Sequence, residues 1–292
     1  MAAKRPRKVP TSLDGINDEA QLLKKYPSLK KRRAPSRVFP IVVALSVIVS
    51  VWYLAAIGLN LPKYVLPLPH VVLATFASEL PKLLSHAAVT GFEAMAGLTL
   101  AVVVGFATSC WIIWAPSFGR AVMPMLAFIQ TTPKVAIAPL LLMWLGFGFA
   151  PKVAIAFLIS FFPIVVATVA GLKSAQPELL ELVRSLTSSN RELLFRVQLP
   201  SALPYFFSGL KIAVTLSLIG ALVGEFVGSD QGLGYVILVA NGDLNAPMLF
   251  AAIVIASLMG FVLFNLVEWI ERTAMPWHTS IKTHGPAVDE RA

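Results

Sequence analysis

Long apolar runs without a charged side chain dominate the pattern of this chain. Four of them contain no Asp, Glu, Lys, Arg or His at all, namely 38–62, 94–119, 153–172 and 244–267. Two further runs carry one charge each, Lys134 within 121–150 and Glu225 within 212–228. Because a helix rises about 1.5 Å per residue and the hydrocarbon core of a bilayer is about 30 Å thick, about 20 apolar residues span it. The pattern therefore predicts six transmembrane helices, near 38–59, 86–114, 121–146, 152–173, 206–228 and 248–271.

Composition strengthens this interpretation. Of the 292 residues, 57% are hydrophobic and only 13% are charged, whereas a soluble domain is about half apolar and about a quarter charged. Such a chain has too few charges to cover a water-facing surface, which excludes a soluble enzyme and a disordered protein. The single cysteine, Cys110, excludes a disulfide framework, and four scattered histidines leave no cluster for a metal site. The fold class is predicted to be all-α, a polytopic membrane protein.

Lysine and arginine residues predict the orientation. An even number of spans places both termini on one side, and that side would hold 20 of the 24 basic residues, including eleven in the tail from Lys4 to Arg37. Basic residues accumulate on the cytoplasmic side, so both termini are expected in the cytoplasm. Topology then accounts for the net charge of +9 without nucleic acid, and the basic tail is expected to attract anionic lipid. The first apolar run is too long and too far from the start for a cleaved signal peptide.

These boundaries divide the chain into four parts. Residues 1–37 form a basic cytoplasmic tail that is expected to be disordered. Residues 38–85 hold the first span and a periplasmic surface segment rich in proline. Residues 86–273 hold five spans and a long cytoplasmic loop at 178–204, and residues 274–292 form a second cytoplasmic tail.

No catalytic constellation is visible in the loops. The sequence contains no GxxxxGK[ST] motif, because none of its 18 glycines is followed by lysine, so the chain is not expected to bind ATP through a P-loop. We likewise find no Ser/His/Asp set, paired carboxylates or metal-ligand spacing, and the chain is expected not to be an enzyme. The loop at 178–204 is the informative one, since strong helix formers flank a polar Thr-Ser-Ser-Asn break. It predicts two short amphipathic helices suited to a partner's groove, the alternative being a helix lying on lipid headgroups.

The same loop resembles the EAA loop of permease subunits of binding-protein-dependent ABC importers. That family pattern is EAA, three residues, Gly, nine residues, Ile, one residue and Leu-Pro. The chain has Glu181, Thr187, Val197 and Leu199-Pro200 at this spacing, with Leu-Val in place of the two alanines and Thr187 in place of glycine. Further stretches, among them TPKVAIAPLLLMWLGFGFAPK, LPSALPYFFSGLKIA and GEFVGSDQGLGYVI, are similar to the permeases for nitrate, sulfonates, taurine, and thiamine-precursor or riboflavin-type nutrients.

The resemblance implies a mechanism in a bacterial inner membrane. The loop would couple the spans to a separate ABC ATPase, which alone would bind ATP and Mg²⁺, so this chain would bind no cofactor. A second permease copy would complete the solute path for a small nutrient molecule, and a periplasmic solute-binding protein would deliver that solute. The residues carried over to the coupling role are Glu181, Arg184, Thr187, Arg191, Val197, Leu199 and Pro200.

Polar residues inside the spans are candidates for the solute path, because ionisable groups there are costly. Lys134 lies between Pro133 and Pro139, which are expected to break the helix and free carbonyl groups; alternatively Lys134 extends to the headgroups. Glu225 either orients the path or pairs with a lysine of the outer loops. Glu93 stands where sulfonate-type members usually have arginine, which favours the thiamine-precursor or riboflavin branch, and it could equally form a buried ion pair.

Two other classes of protein are weighed against the importer. A secondary transporter, independent of ATP, usually shows inverted repeats with matched broken helices, and the two halves of this sequence do not match. A membrane enzyme would need clustered catalytic side chains at one membrane face, which the loops do not offer.

Overall fold

The computed structural model describes residues 38–59, 62, 64–186 and 189–276, and within them every regular element is helical. The prediction of an all-α fold is confirmed. In chain order the helices are α1 (Val38–Gly58), α2 (Pro69–Ser78), α3 (Leu80–Trp114), α4 (Pro116–Thr131), α5 (Lys134–Leu145), α6 (Phe149–Lys173), α7 (Pro177–Leu186), α8 (Asn190–Leu193), a π-helical turn (Leu194–Gln198), α9 (Leu199–Gly228), α10 (Leu233–Gly242) and α11 (Ala246–Ala274). Both predicted disordered tails, 1–37 and the part of 274–292 beyond residue 276, lie outside the described residues.

The chain divides into two compact units, Met1–Leu59 and Asn60–Ala292. The first contains α1, an apolar helix of 21 residues without a charged side chain. The second contains all the other helices, and the remaining description concerns this unit.

Four helices are long and apolar enough to cross a membrane: α3, α6, the helical run from Arg191 to Gly228, and α11. The pair α4 and α5 makes a fifth if it counts as one span, while the part of α1 from Val42 to Gly58 belongs to the shorter apolar helices. The predicted number of six is therefore matched only in part. Most predicted boundaries were also too narrow, since α3 begins at Leu80 rather than 86 and α9 at Leu199 rather than 206.

The third predicted span is bent by 94° between α4 and α5. The break lies at Thr132, whose ψ of 131° is extended, because the ring of the following Pro133 disfavours helical geometry at the preceding residue. Pro139 was expected to break the helix as well, and this expectation was wrong, since Pro139 lies inside α5. One interruption therefore divides this apolar stretch.

Helix α6 packs extensively against both α3 and α9. Ala156 lies close to both helices: a Cβ added to Gly97 of α3 would lie 2.5 Å from Ala156 Cβ, and one added to Gly220 of α9 would lie 2.6 Å from Ala156 Cα. Small residues permit such contact between membrane helices. Next to these three helices, α10 and α11 pack against the first part of α3 around Leu83, Leu233 and Ile255. In addition, Lys211 of α9 forms an ion pair with Glu271 of α11.

Candidate functional site

Two groups of polar residues lie at opposite ends of α6 and α9. The connecting segment, residues 177–198, joins the end of α6 to the start of α9. The buried polar cluster lies at the start of α3, the start of α6 and the end of α9, and it comprises His86, Thr90, Glu93, Lys152, Glu225 and Ser229. We treat the connecting segment first, because the sequence singled it out.

Helix α7 of the connecting segment is amphipathic and has no buried residue. Its apolar side chains are open to the surroundings, with 54% of Leu182 and 78% of Leu186 exposed, and its polar residues Glu181 and Arg184 are exposed as well. An exposed apolar stripe rimmed by charges is typical of a contact surface for a protein or a membrane.

The rest of the connecting segment differs from the prediction. A second separate amphipathic helix was expected, but α8 continues through the π-helical turn directly into α9, because Leu193 packs into the core with only 6% of its surface exposed. Arg191 lies with its guanidinium 5.9 Å from the ring centre of Phe195. Val197 is half-buried in the turn, and Leu199 and Pro200 begin α9. Thr187 lies outside the described residues.

An ion pair forms the centre of the buried polar cluster. Lys152 Nζ of α6 lies 2.6 Å from Glu93 Oε1 of α3, and both side chains are almost completely buried. The same ammonium group donates to Ser229 Oγ at 2.8 Å. Gly224 leaves room for this lysine, since a Cβ there would lie 2.9 Å from Lys152 Cα. A buried charge is tolerated only where it is paired and hydrogen-bonded, and the ammonium group of Lys152 meets both conditions.

The cluster also binds the first backbone amides of α10. The N–H groups at a helix N-terminus have no partner within the helix, and in α10 side chains of α3 and α9 accept their hydrogen bonds. Gly232 N donates to His86 Nδ1 at 3.0 Å, Leu233 N to Thr90 Oγ1 at 2.8 Å, and Gly234 N to Glu225 Oε2 at 2.5 Å. Just before them, Gln231 N donates to Ser229 Oγ at 3.2 Å. Four consecutive amides are thus bound by side chains.

The two carboxyl groups of the cluster are close neighbours. Glu225 Oε1 accepts a hydrogen bond from Thr90 Oγ1 at 2.7 Å, and its carboxyl group also interacts with that of Glu93. Glu93 Oε2 has no hydrogen-bond donor among the described residues. Ionised carboxylates only accept hydrogen bonds, so a bond between the two would require a proton on one of them.

The predicted path residues fall into two places. Glu93 and Glu225 come together in the buried polar cluster with exposed fractions of 2% and 0%, so neither presents its carboxylate to a solute in this conformation. The alternative of a buried ion pair describes Glu93, whose partner is Lys152. Lys134 stands apart at the bend, half-exposed, and donates to the carbonyl of Gln130 at 3.2 Å. Pro139 is exposed on α5.

Four cluster residues were missed from the sequence: His86, Thr90, Lys152 and Ser229. Part of the signal was present, because His86, Thr90 and Glu93 recur at spacings of four and three and so share one face of α3. The second indication was Lys152, a charged residue directly before the apolar run 153–172. The partners are far apart in sequence, 59 residues for Glu93 with Lys152 and 135 for Thr90 with Glu225, and single-sequence periodicity does not reveal such pairs.

Comparison with known proteins gives consistent matches. Residues 97–275 match the family described as binding-protein-dependent transport system inner membrane component. The chain is 37% identical to the formylaminopyrimidine transport permease protein ThiX of Halalkalibacterium halodurans, over 78% of this chain and 91% of that protein. It is 32% identical to the riboflavin transport system permease protein RibX of Chloroflexus aurantiacus, over 87% and 94%.

Solved structures show the same fold. A chain of the MetNI methionine ABC transporter in an inward-facing conformation superimposes with a TM-score of 0.59, covering 65% of this chain and 95% of that one. The sequence identity of that pair is only 17%, so the similarity concerns the helical architecture alone.

Proposed function

The chain belongs to the family of binding-protein-dependent transport system inner membrane components, and on that basis we propose how this permease subunit of an ABC importer couples to its partners. It forms the solute path together with a second copy of itself, binds no cofactor and catalyses no reaction. A separate ABC ATPase subunit binds ATP with Mg²⁺ and hydrolyses it, and a periplasmic solute-binding protein delivers the solute.

The observation that carries the coupling role is the exposed helix α7. It projects no side chain into the core of the chain, yet it is tied at both ends to the two helices that pack most closely, α6 through 174–176 and α9 through α8 and the π-helical turn. A force applied to α7 is therefore passed to both helices. Glu181 and Arg184 offer charged contacts to the ATPase, and Leu182 and Leu186 fill an apolar groove on it; Thr187, Arg191, Val197, Leu199 and Pro200 complete the same segment.

The connecting segment faces the cytoplasm in this proposal. Arg184, Arg191 and Arg196 lie in it, and Lys173 and Arg272 lie at the same end of α6 and α11, which agrees with the enrichment of basic residues on the cytoplasmic side. Both termini then lie in the cytoplasm of a bacterial cell with the chain in the inner membrane, and the buried polar cluster lies at the periplasmic end.

The solute path is proposed to pass the bend between α4 and α5. Carbonyl groups freed at a helix break can line a water-filled cavity, and Lys134 adds a half-exposed ammonium group at this position. Pro139 lies one and a half turns further along α5. Glu93 and Glu225 act on the path indirectly, through the elements that they hold.

The proposed solute is a small nutrient of the pyrimidine or flavin type. ThiX and RibX, at 37% and 32% identity, are named for formylaminopyrimidine and for riboflavin. The relatives named for sulfonates, taurine or nitrate are only 26% or 27% identical to this chain. Transport of an anionic solute such as a sulfonate or nitrate would contradict this assignment.

Purification of the tagged chain from its native membrane in mild detergent tests the partners. We expect a P-loop ATPase and a solute-binding protein to copurify, and mass spectrometry of the ligand held by the latter identifies the solute. A preparation that lacks an ATPase and transports without ATP would instead indicate a secondary transporter.

Substitution in α7 tests the coupling role directly. Glu181→Lys, or Arg184→Ala combined with Arg191→Ala, should reduce ATPase copurification and uptake at least about tenfold, the scale of losing charged interface contacts, with normal amounts of chain in the membrane. Arg272→Ala is the matched control, because Arg272 is an exposed arginine at the same end of the bundle that pairs with Glu268 of its own helix. Wild-type uptake by the α7 variants would contradict the coupling role.

A further inference from the structure

The buried polar cluster does more than neutralise charges, because it holds one helix against two others. Three consecutive amides, of Gly232, Leu233 and Gly234, bind to His86 and Thr90 of α3 and to Glu225 of α9. The turn before them is fixed by Ser229, which Lys152 of α6 holds in place. Each of these hydrogen bonds connects α10, or the turn before it, with α3, with α6 or with the end of α9.

The local sequence fits this arrangement closely. Gly232 has φ +102°, which side chains disfavour, and a Cβ at Gly232 would overlap the carboxyl group of Glu225. A Cβ at Gly234 would lie 2.7 Å from the carbonyl oxygen of Leu222 and 2.8 Å from Glu225 Cβ. The two glycines let the backbone of α10 reach the side chains that bind its amides.

We propose that His86, Thr90 and Glu225 are positioning residues for transport, which fix α10 as the closing element at the end of the bundle away from the connecting segment. This inference rests on the proposed function, which makes that end the one where solute arrives. A movement of α9 driven from the connecting segment then changes the distance between Glu225 and His86, and α10 must leave one of them. Release of its amides is the step that opens this end.

The bond from Gly232 sets a condition on His86. A ring nitrogen that accepts a hydrogen bond is deprotonated, so Nδ1 is the acceptor only in the neutral imidazole with its proton on Nε2. Among the described residues, Lys82 lies one turn earlier on α3, and Tyr235 of α10 has its ring centre 6.1 Å from that of His86. Glu225 of α9 binds the amide of Gly234, two residues after Gly232, and Glu93 and Lys152 neutralise each other. Acidification on this side protonates Nδ1 and releases Gly232.

Hydrogen–deuterium exchange tests the contact without reference to transport. In the importer complex in lipid nanodiscs, we expect the amides of 231–234 to be protected, and His86→Ala or Thr90→Val to raise their exchange rate about fivefold, as for the loss of one hydrogen bond. His86→Asn and Thr90→Ser keep an acceptor at the same place and should keep the protection. Thr99→Val is the control on the same helix, since Thr99 bonds only to the carbonyl of Met95 at 2.7 Å among the described residues.

Uptake at two pH values tests the positioning role. We compare intact cells at an external pH of about 5 and about 7.5; the lower value is well below the ordinary histidine pKa of about 6.5, because the hydrogen bond that Nδ1 accepts opposes its protonation. The wild type should lose uptake at least about fivefold at the lower pH relative to His86→Asn, which cannot be protonated and shares the same solute-binding protein. Equal pH profiles for the two would overturn the proposal, and so would wild-type uptake by His86→Ala and Thr90→Val at the higher pH.

The outcomes separate this inference from the function on which it rests. If uptake does not depend on ATP, the proposed function fails, while amide exchange still decides whether the cluster holds α10. If His86→Ala does not accumulate in the membrane, the comparison of His86→Asn, Thr90→Val and Thr90→Ser still tests the inference. Unprotected amides in the wild type would refute the inference even in a fully active importer.

Discussion

Lys152 illustrates how one side chain takes its meaning from three helices. It stands at the start of α6, where a lysine normally reaches the headgroups, but its Nζ is bound by Glu93 of α3 and Ser229 at the end of α9. The pair is buried, so the attraction between the charges offsets the cost of removing both from water. Loss of either partner leaves the other charge without compensation.

This arrangement predicts a double-variant pattern in thermal stability. Lys152→Met or Glu93→Gln alone should destabilise the chain by about 3–5 kcal/mol, because a buried charge is left unpaired or a buried ammonium loses its counter-ion. The combination Glu93→Gln with Lys152→Met should recover most of that loss. Tm measured in detergent checks the prediction, with Lys173→Met, an exposed lysine at the other end of α6, as the control. Additive losses in the double variant would contradict a direct pair.

At the scale of the elements, α6 is the helix on which the bundle depends. Gly97 of α3 and Gly220 of α9 approach Ala156 from two sides, so the backbones of three helices meet within a few ångströms. Membrane helices gain stability from such close packing, because lipid tails offer no hydrophobic driving force between helices. Along the same helix, Ile164 and Val165 are completely buried.

Alanine substitutions at these glycines should separate the helices. Gly97→Ala and Gly220→Ala each place a Cβ within 2.6 Å of an Ala156 carbon atom, and such overpacking typically costs about 1–3 kcal/mol. Gly91→Ala is the matched control, since its Cβ would be 3.4 Å from Met259 Sδ, an ordinary contact. Lower Tm values for the first two variants and an unchanged value for the third are expected. A loss as large for Gly91→Ala would contradict this explanation, because alanine favours a helix more than glycine does and no close contact would account for the loss.

Hydropathy, proline positions and motif spacing each predicted a different part of this helical bundle. Hydropathy located the apolar centres of α3, α6, α9 and α11, because burial in lipid requires them, but it stopped short of the helix ends, such as the first turns of α3 with Lys82. Proline predicted the break at Pro133 and wrongly a second at Pro139, since an interior proline removes one hydrogen bond and helices in membranes tolerate that loss. The spacing at 181–200 found the connecting segment. Contacts between distant residues, such as Lys152 with Glu93, are not encoded in any local period.

For the whole molecule, the two ends of the bundle differ in charge, and this difference predicts its orientation. The end with the connecting segment carries Arg184, Arg191, Arg196, Lys173 and Arg272, of which all five are exposed. At the other end, Lys152 is neutralised by Glu93, which leaves few cations there among the described residues. This excess of exposed lysines and arginines predicts that the end with the connecting segment faces the cytoplasm.

Single cysteines in a Cys110→Ser background measure this orientation. Asp243→Cys lies just after α10 and Ser185→Cys lies in α7, both at exposed positions at opposite ends of α9. A membrane-impermeant maleimide should label the first in intact cells and the second only after the membrane is permeabilised. Cys110→Ser alone, which should not be labelled, controls for other proteins. The reverse pattern would place the connecting segment outside, where no ATPase could reach α7, and would exclude both the coupling role and a periplasmic position for α10.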